Sequence, residues 1–131
     1  MYMKIQPREG FWLATVAGRV SLNTAIELGK AIYDAAAERG FGKILIDCLG
    51  VEGELSVVDR YELGEQIAEY CKNQPAIPAL ALLGALPTVT GFCALVARHR
   101  GVLVETFSER QPAVGWLHKF GFKGCGAMKQ S

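Results

Sequence analysis

The fold is decided by the stretch KILIDCLGVEGELSVVD, residues 43–59. Its first part, residues 43–48, is a nearly all-apolar run of strand length, which is typical of strands covered on both faces in a parallel sheet. Its last part, Ser56-Val57-Val58-Asp59, resembles a capping box with Asp in place of Glu, so we expect a helix from there to about Lys72. The stretch therefore predicts a buried strand that leads into a helix, the repeating unit of α/β folds.

Upstream of this stretch, the sequence predicts a hairpin and a helix. Residues that favour strands fill positions 2–6 and 11–17, and a turn cluster, residues 7–10, separates them. Ser21 is the expected N-cap of a helix that runs to about Arg39, and the following glycine is the residue type expected to end it.

Downstream, strands and helices continue to alternate. Residues 78–84 form a third apolar run that leads to a helix from about Thr88 to Arg100, and residues 102–107 form a further strand. Ser108 is expected to cap a short last helix with Trp116-Leu117 near its end. The order is a β-hairpin start and then alternating α and β elements, which predicts an α/β fold with a mixed, mostly parallel sheet and helices packed against it.

The helix that follows Ser56 is expected to bury one side. Its core side is predicted to hold apolar residues, and its solvent side is predicted to hold acidic ones. The expected core residues are Val58, Tyr61, Ile67, Ala68 and Cys71, and the expected solvent-facing residues are Asp59, Glu62, Glu65 and Glu69.

Composition excludes several classes of function. The chain has 131 residues, half of them apolar, and a formal net charge of +1, so it is long enough for one domain and too apolar for intrinsic disorder. A net charge this close to zero argues against a basic surface for binding nucleic acid and against a polybasic membrane anchor. The N-terminus lacks the apolar segment of a signal peptide, so the cytoplasm is the expected location.

The four cysteines are far apart, with no close Cys or His pairs of the kind that structural zinc sites use. Cys48, Cys71 and Cys93 lie in apolar segments and are expected to be reduced core residues, whereas Cys125 lies in a glycine-rich tail. We therefore expect neither a metal site nor a disulfide framework.

Functional sites in open α/β sheets lie beyond the carboxyl ends of the strands, and the richest such segment here is residues 47–56. Asp47 ends a buried strand, Gly50 and Gly53 permit tight turns, and Ser56 presents a hydroxyl at a helix start, where free amides and the helix dipole favour an anion. A phosphate added to Ser56 would be stabilised there. Two roles stay open: Ser56 as a plain helix cap or as a phosphoacceptor, with Asp47 bonding loop amides in either case.

No catalytic constellation emerges from the sequence. No glycine-rich phosphate loop follows the first strand, which argues against a dinucleotide or P-loop site. Asp47 is the one carboxylate that ends a predicted strand, whereas a receiver-type phosphorylation site needs several clustered carboxylates. His99 and His118 have no evident acid partner, and the basic residues around His99 suit a helix C-terminus. We expect a protein without enzymatic activity and without a cofactor.

Several of these segments resemble a known family. The run Lys43–Val51 with the Ser-started helix after it is similar to the STAS domain of bacterial anti-sigma factor antagonists, and the SpoIIAA-like (STAS/SEC14-like) branch looks closer still. Similar segments also occur at Asp59–Leu63, Val96–Val102 and Phe107–Leu117. The resemblance implies a SpoIIAA/STAS-like fold in one domain over residues 1–131, with a core over about 2–117 and a short C-terminal tail. It also implies binding rather than catalysis.

The resemblance assigns a role to the start of the second helix. In phosphoregulated STAS antagonists, a kinase-type anti-sigma factor phosphorylates a Ser or Thr in an Asp-Ser-Ser-Gly-like segment, and the added charge breaks their complex. Leu55-Ser56-Val57-Val58 occupies that place here, with Leu55 in place of the Asp and Val57-Val58 in place of the Ser-Gly. The resemblance thus implies Ser56 as the phosphoacceptor and an anti-sigma factor or similar regulatory protein as the partner. The expected contact residues are Asp47, Gly50, Glu52, Gly53, Glu54, Ser56, Asp59 and Arg60.

The likeness to lipid-handling SEC14 domains implies an alternative function. Such a protein would bind a lipid or a small apolar ligand, or would engage a membrane surface. The apolar content around a strand end, Ala79–Leu86, is compatible with this function, and equally with a plain core or a homodimer interface.

Overall fold

The computed structural model describes residues 1–74 and 77–124. Over these residues the chain forms five strands and four helices. The strands are β1 (Tyr2–Arg8), β2 (Phe11–Arg19), β3 (Lys43–Glu52), β4 (Ala79–Leu83) and β5 (Leu103–Phe107). The helices are α1 (Leu22–Glu38), α2 (Val57–Lys72), α3 (Phe92–His99) and α4 (Arg110–Gly124).

The five strands form one sheet in chain order, β1-β2-β3-β4-β5. The hairpin pair β1 and β2 is antiparallel, and the pairs β2–β3, β3–β4 and β4–β5 are parallel. The predicted fold class, a mixed and mostly parallel sheet that starts with a hairpin, is confirmed.

Strand β3 is longer than the sequence predicted. Thr15 pairs with Asp47 but Ala17 pairs with Gly50, so β3 carries one extra residue at Cys48–Leu49, a β-bulge. After the bulge β3 stays paired with the end of β2 as far as Glu52. The expectation that Gly50 lies in a turn is therefore wrong, because β2 offers it a ladder partner.

Helices cover both faces of the sheet, but unequally. On the three-helix face, α1, α2 and α3 pack on the sheet around a large apolar cluster that includes Ile32, Ala68 and Ala94. On the α4 face, α4 is the one helix among the described residues that packs on the sheet, through Ala113 and Leu117. The buried residues of the α4 face are Phe11, Leu13, Leu45, Ala79, Ala81, Leu83, Ala113 and Leu117.

The sequence predicted some of the helix ends correctly and others not. Ser21 caps α1 by accepting a hydrogen bond from the Thr24 amide at 3.4 Å, and the helix ends before Gly40, which has φ +78°, as predicted. Helix α3 begins at Phe92 rather than at Thr88, because Gly91 at its N-cap has φ +90° and interrupts the helical backbone. Helix α4 extends to Gly124, well past the predicted end near Trp116-Leu117.

Within the described ranges, no helix has both the length and the apolar character needed to cross a bilayer. Cys125, the fourth cysteine of the sequence, lies outside the described residues.

Candidate functional site

The start of α2 carries the predicted phosphoacceptor. Ser56 is the N-cap of α2, and its Oγ accepts a hydrogen bond from the Asp59 amide at 3.1 Å. The residue is also exposed to solvent. Ser56 is therefore both a helix cap and an exposed residue.

Two valines next to Ser56 are exposed. Val57 and Val58 keep 69% and 75% of their surface in solvent, and Tyr61 keeps 43%. The expectation that Val58 and Tyr61 face the core is wrong, whereas Ala68 and Cys71 are buried as expected. The reason is the phase of the helix: its buried side is the series Arg60, Gly64, Ala68 and Cys71.

Arg60 is the charged residue on that buried side, with 7% of its surface exposed. Its guanidinium donates four hydrogen bonds. The acceptors are the carbonyls of Leu55 (2.8 Å), Pro87 (2.9 Å) and Thr88 (3.2 Å) and the hydroxyl of Thr90 (3.0 Å). The Glu54 carboxylate lies 3.6 Å away. The planar fork of Arg suits such a set of acceptors, which a single ammonium group could not span.

The four hydrogen bonds of Arg60 join two segments. One segment, residues 53–56, leads into α2, and the other, residues 87–90, leads into α3. Thr88 reinforces the junction by donating its hydroxyl hydrogen to the Gly53 carbonyl at 2.6 Å. We call residues 53–60 and 87–90 with these contacts the Arg60 clamp.

The other predicted contact residues divide into two groups. Gly53, which has φ +89°, Glu54 and Ser56 lie at the clamp, and Glu52 precedes them at the end of β3. Asp47 faces the other way: its Oδ1 accepts from the Leu49 amide at 3.0 Å, and its Oδ2 lies 3.3 Å from Arg110 of α4. The structure thus places Asp47 on the α4 side of the sheet, apart from Ser56.

Behind the clamp, between the sheet and the three helices, lies a pocket of about 160 Å³. Its lining is mostly aliphatic. The helices contribute Leu28, Ile32, Leu63 and Ile67, and the sheet contributes Val16, Ile46, Leu82 and Val104. Leu55, Arg60, Thr88 and Thr90 of the clamp also line it. The sequence did not predict a pocket at this place, because its walls come from elements far apart in the chain.

Two cysteine thiols line the pocket as well. Burial raises the pKa of Cys48 to about 12, with Asp47 and Cys93 adding to the effect. Burial also raises the pKa of Cys93 to about 11, and the charge of Arg60 opposes that rise. Both thiols are therefore protonated at neutral pH, and neither is an activated nucleophile. Cys48, Cys71 and Cys93 are free thiols, in agreement with the prediction, although Cys48 and Cys93 are half-buried rather than fully buried.

The basic and histidine residues lie elsewhere. Arg98 pairs with Glu105, and Arg100 contacts Glu65 at 2.5 Å and the Tyr61 hydroxyl at 3.1 Å. His118 lies on α4 with its ring against Phe11, on the far side of the sheet from α2. In the part of the chain that the structure describes, no hydrogen bond links His99 or His118 to Ser56 or to a cysteine. The same residues contain no group of three or more His, Cys, Asp or Glu side chains placed to hold a metal ion.

Comparison with solved structures identifies the fold. The chain is similar to an anti-sigma factor antagonist from Mycobacterium paratuberculosis, with a TM-score of 0.63 and 16% identity over 89% of this chain and 93% of that one. It is also similar to the protein TM1081, solved by NMR, with a TM-score of 0.51 and 13% identity over 91% and 90% of the two chains. No protein-family model matches the sequence, and neither does any curated protein. The chain therefore has a STAS-like fold.

Proposed function

On the basis of this STAS-like fold, we propose that the protein is a non-catalytic regulatory module that acts by protein–protein contact. The observation that carries the proposal is the exposed start of α2, where Ser56 stands beside Val57 and Val58. Exposed apolar side chains next to a polar group are typical of contact surfaces. The partner is a regulatory protein such as a kinase-type anti-sigma factor, and the module works in the cytoplasm.

The contact surface in this proposal is the loop and helix start from Glu52 to Asp59, with the two valines at its centre. Arg60 supports this surface from behind rather than touching the partner, because its donors are engaged within the clamp. Phosphorylation of Ser56 would place a dianion beside the valines and would weaken an apolar contact there.

Phosphorylation can be tested by incubating the protein with a kinase-type anti-sigma factor from the source organism and ATP. We expect a complex in the absence of ATP and a phosphate on Ser56 in its presence, detected by gel filtration and mass spectrometry. Absence of both the complex and the phosphate would reject the proposal.

The effect of charge can be separated from the effect of capping with two variants. Asn and Asp both cap helices well, so Ser56→Asn and Ser56→Asp preserve the cap and differ by one negative charge. We expect Ser56→Asp to weaken the complex at least about tenfold relative to Ser56→Asn, a difference of about 1.4 kcal/mol. Equal affinities would leave Ser56 as a cap alone.

A second candidate function is the binding of a lipid or small apolar ligand, with or without membrane association, as in SEC14 domains. The pocket of about 160 Å³ with aliphatic walls favours it. Native mass spectrometry of the purified protein tests it, since a ligand that co-purifies at one-to-one stoichiometry would support this function and a ligand-free mass after gentle purification would count against it.

A further inference from the structure

The size of the pocket limits what it can hold. Its volume is about 160 Å³, close to the cavity of about 150 Å³ that stays dry and binds benzene or xenon in a well-studied engineered protein. The acyl chain of a membrane lipid has more than twice as many carbons as benzene and would have to extend outside a pocket of this volume. The volume favours a compact ligand.

The chemistry of the wall limits the ligand further. The walls that α1, α2 and the sheet contribute are built mainly from aliphatic side chains such as Ile32, Leu63 and Leu82. Arg60 supplies the charged side chain of the lining, and its guanidinium already donates to four acceptors. The thiols of Cys48 and Cys93 are neutral. A cationic ligand would therefore lose its hydration without gaining a partner, and an anionic one would gain only a guanidinium that already donates four hydrogen bonds. A neutral apolar ligand needs no such partner.

The pocket shares a wall with the contact surface. Leu55, Arg60 and Thr88 line the pocket on one side and hold the Arg60 clamp together on the other. Ser56 and Val57 follow Leu55 directly at the helix start. A ligand that packs against Leu55 and Arg60 thus contacts the residues that position the start of α2.

We propose that the pocket binds one compact, neutral, apolar molecule of about six to eight non-hydrogen atoms, aromatic or branched aliphatic, and that its presence changes the conformation of the α2 start through the Arg60 clamp. The regulatory meaning of this step rests on the proposed function, in which the α2 start contacts the partner. Ligand binding itself does not depend on any partner.

The experiment uses the full chain alone, with benzene as the probe, and follows methyl and amide NMR signals during a titration. We expect saturable shifts at the pocket methyls of Ile32, Leu63 and Leu82, and at the amides of Ser56 and Val57. Methyls of Leu13, Leu45 and Leu117, which lie in the cluster of the α4 face, are the internal control and should not shift.

Two pocket-filling variants complete the test. Ala94→Leu fills the pocket from α3 and Cys48→Leu fills it from the sheet, so one variant remains informative if the other does not fold. Each should raise the dissociation constant for benzene more than about tenfold and should shift the Ser56 amide in the ligand-free protein, because the added side chain replaces the ligand.

Three results would overturn the proposal. The first is the absence of saturable shifts at the pocket methyls, or equal shifts on the α4 face. The second is benzene binding without any change at Ser56 and Val57. The third is a membrane lipid found at one-to-one stoichiometry in the pocket, which would contradict the size argument. Because no partner protein is present, none of these results bears on the proposed protein–protein contact.

Discussion

The two faces of the sheet are packed differently: the α4 face is well filled and stabilises the fold, whereas the three-helix face contains a pocket. On the α4 face, helix α4 covers a cluster in which Leu45, Leu83, Ala113 and Leu117 have no exposed surface. On the three-helix face, three helices leave a pocket of about 160 Å³ and bury a charged residue, Arg60. A face that served only to hold the sheet would be filled more completely and would not contain a charge. The three-helix face is therefore where we place binding.

We expect the greatest loss of stability in a comparison of two neighbouring leucines in β4. Leu83 is fully buried on the α4 face, whereas Leu82 points to the other face and lines the pocket. We expect Leu83→Ala to lower the free energy of unfolding by about 3–4 kcal/mol and Leu82→Ala by about 1–2 kcal/mol, because a side chain that borders a void has fewer contacts to lose. Urea unfolding measures both. Equal losses would mean that the two faces are packed equally well.

The next effect concerns Arg60, with Arg110 of α4 as the matched control. Arg60→Ala should lower the free energy of unfolding by about 2–3 kcal/mol, because carbonyls in the clamp would lose their donor. Arg110→Ala removes an exposed ion pair with Asp47 and should cost less than about 1 kcal/mol. A loss for Arg60→Ala no greater than that for Arg110→Ala would mean that Arg60 does not hold residues 53–56 and 87–90 together.

Two glycines should respond in opposite directions. A Cβ on Gly64 of α2 would lie 2.8 Å from the Cys93 carbonyl oxygen and from Val96 Cβ, so Gly64→Ala should force α2 and α3 apart and cost about 1–3 kcal/mol. A Cβ on Gly115 of α4 would meet nothing within 4 Å, so Gly115→Ala should stabilise the helix by about 0.5–1 kcal/mol. Thermal unfolding checks both signs, and destabilisation by Gly115→Ala would contradict the geometry.

The effect that is small for each residue is a dependence of stability on alkaline pH, which arises on the three-helix face. Burial raises the pKa of Cys48 to about 12 and those of Cys71 and Cys93 to about 11. These thiols ionise near pH 9 in the unfolded chain but stay protonated in the folded one, so stability falls as the pH rises above about 9. Each thiol should contribute a loss of about 1 kcal/mol by pH 10.

Urea unfolding at pH 8 and pH 10 measures this fall. Cys93→Ala is the control and should show a shallower fall than the unmodified protein. A free energy of unfolding that does not change between pH 8 and pH 10 would contradict the burial of the thiols.

Local sequence signals were sufficient for most of the fold. Ser21 and Gly40 bound α1 as predicted, and the apolar run at residues 43–48 does form a central strand. These signals depend on residues close together in the chain, where capping and periodicity act directly.

The features that the sequence did not predict depend on distant contacts. Strand β3 continues to Glu52 because β2, more than thirty residues earlier in the sequence, is there to pair with it. Arg60 is buried because its acceptors at Pro87, Thr88 and Thr90 come from a loop 27 to 30 residues away. The sequence contains one sign that Arg60 is buried, because Arg60 lies one helical turn before Gly64 on the same side of α2. The prediction that Val58 and Tyr61 face the core placed Arg60 on the wrong side of the helix.

One affinity comparison decides whether the exposed start of α2 contacts a regulatory partner. Isothermal titration calorimetry would measure the binding of a kinase-type anti-sigma factor from the source organism to Val57→Asp and to Leu103→Asp, an exposed apolar control at the start of β5. Asp is favourable in the first turn of a helix, so Val57→Asp should fold normally. We expect the affinity to fall at least about tenfold for Val57→Asp and less than about twofold for Leu103→Asp. Unchanged affinity for Val57→Asp, or a greater loss for Leu103→Asp, would contradict the proposed contact.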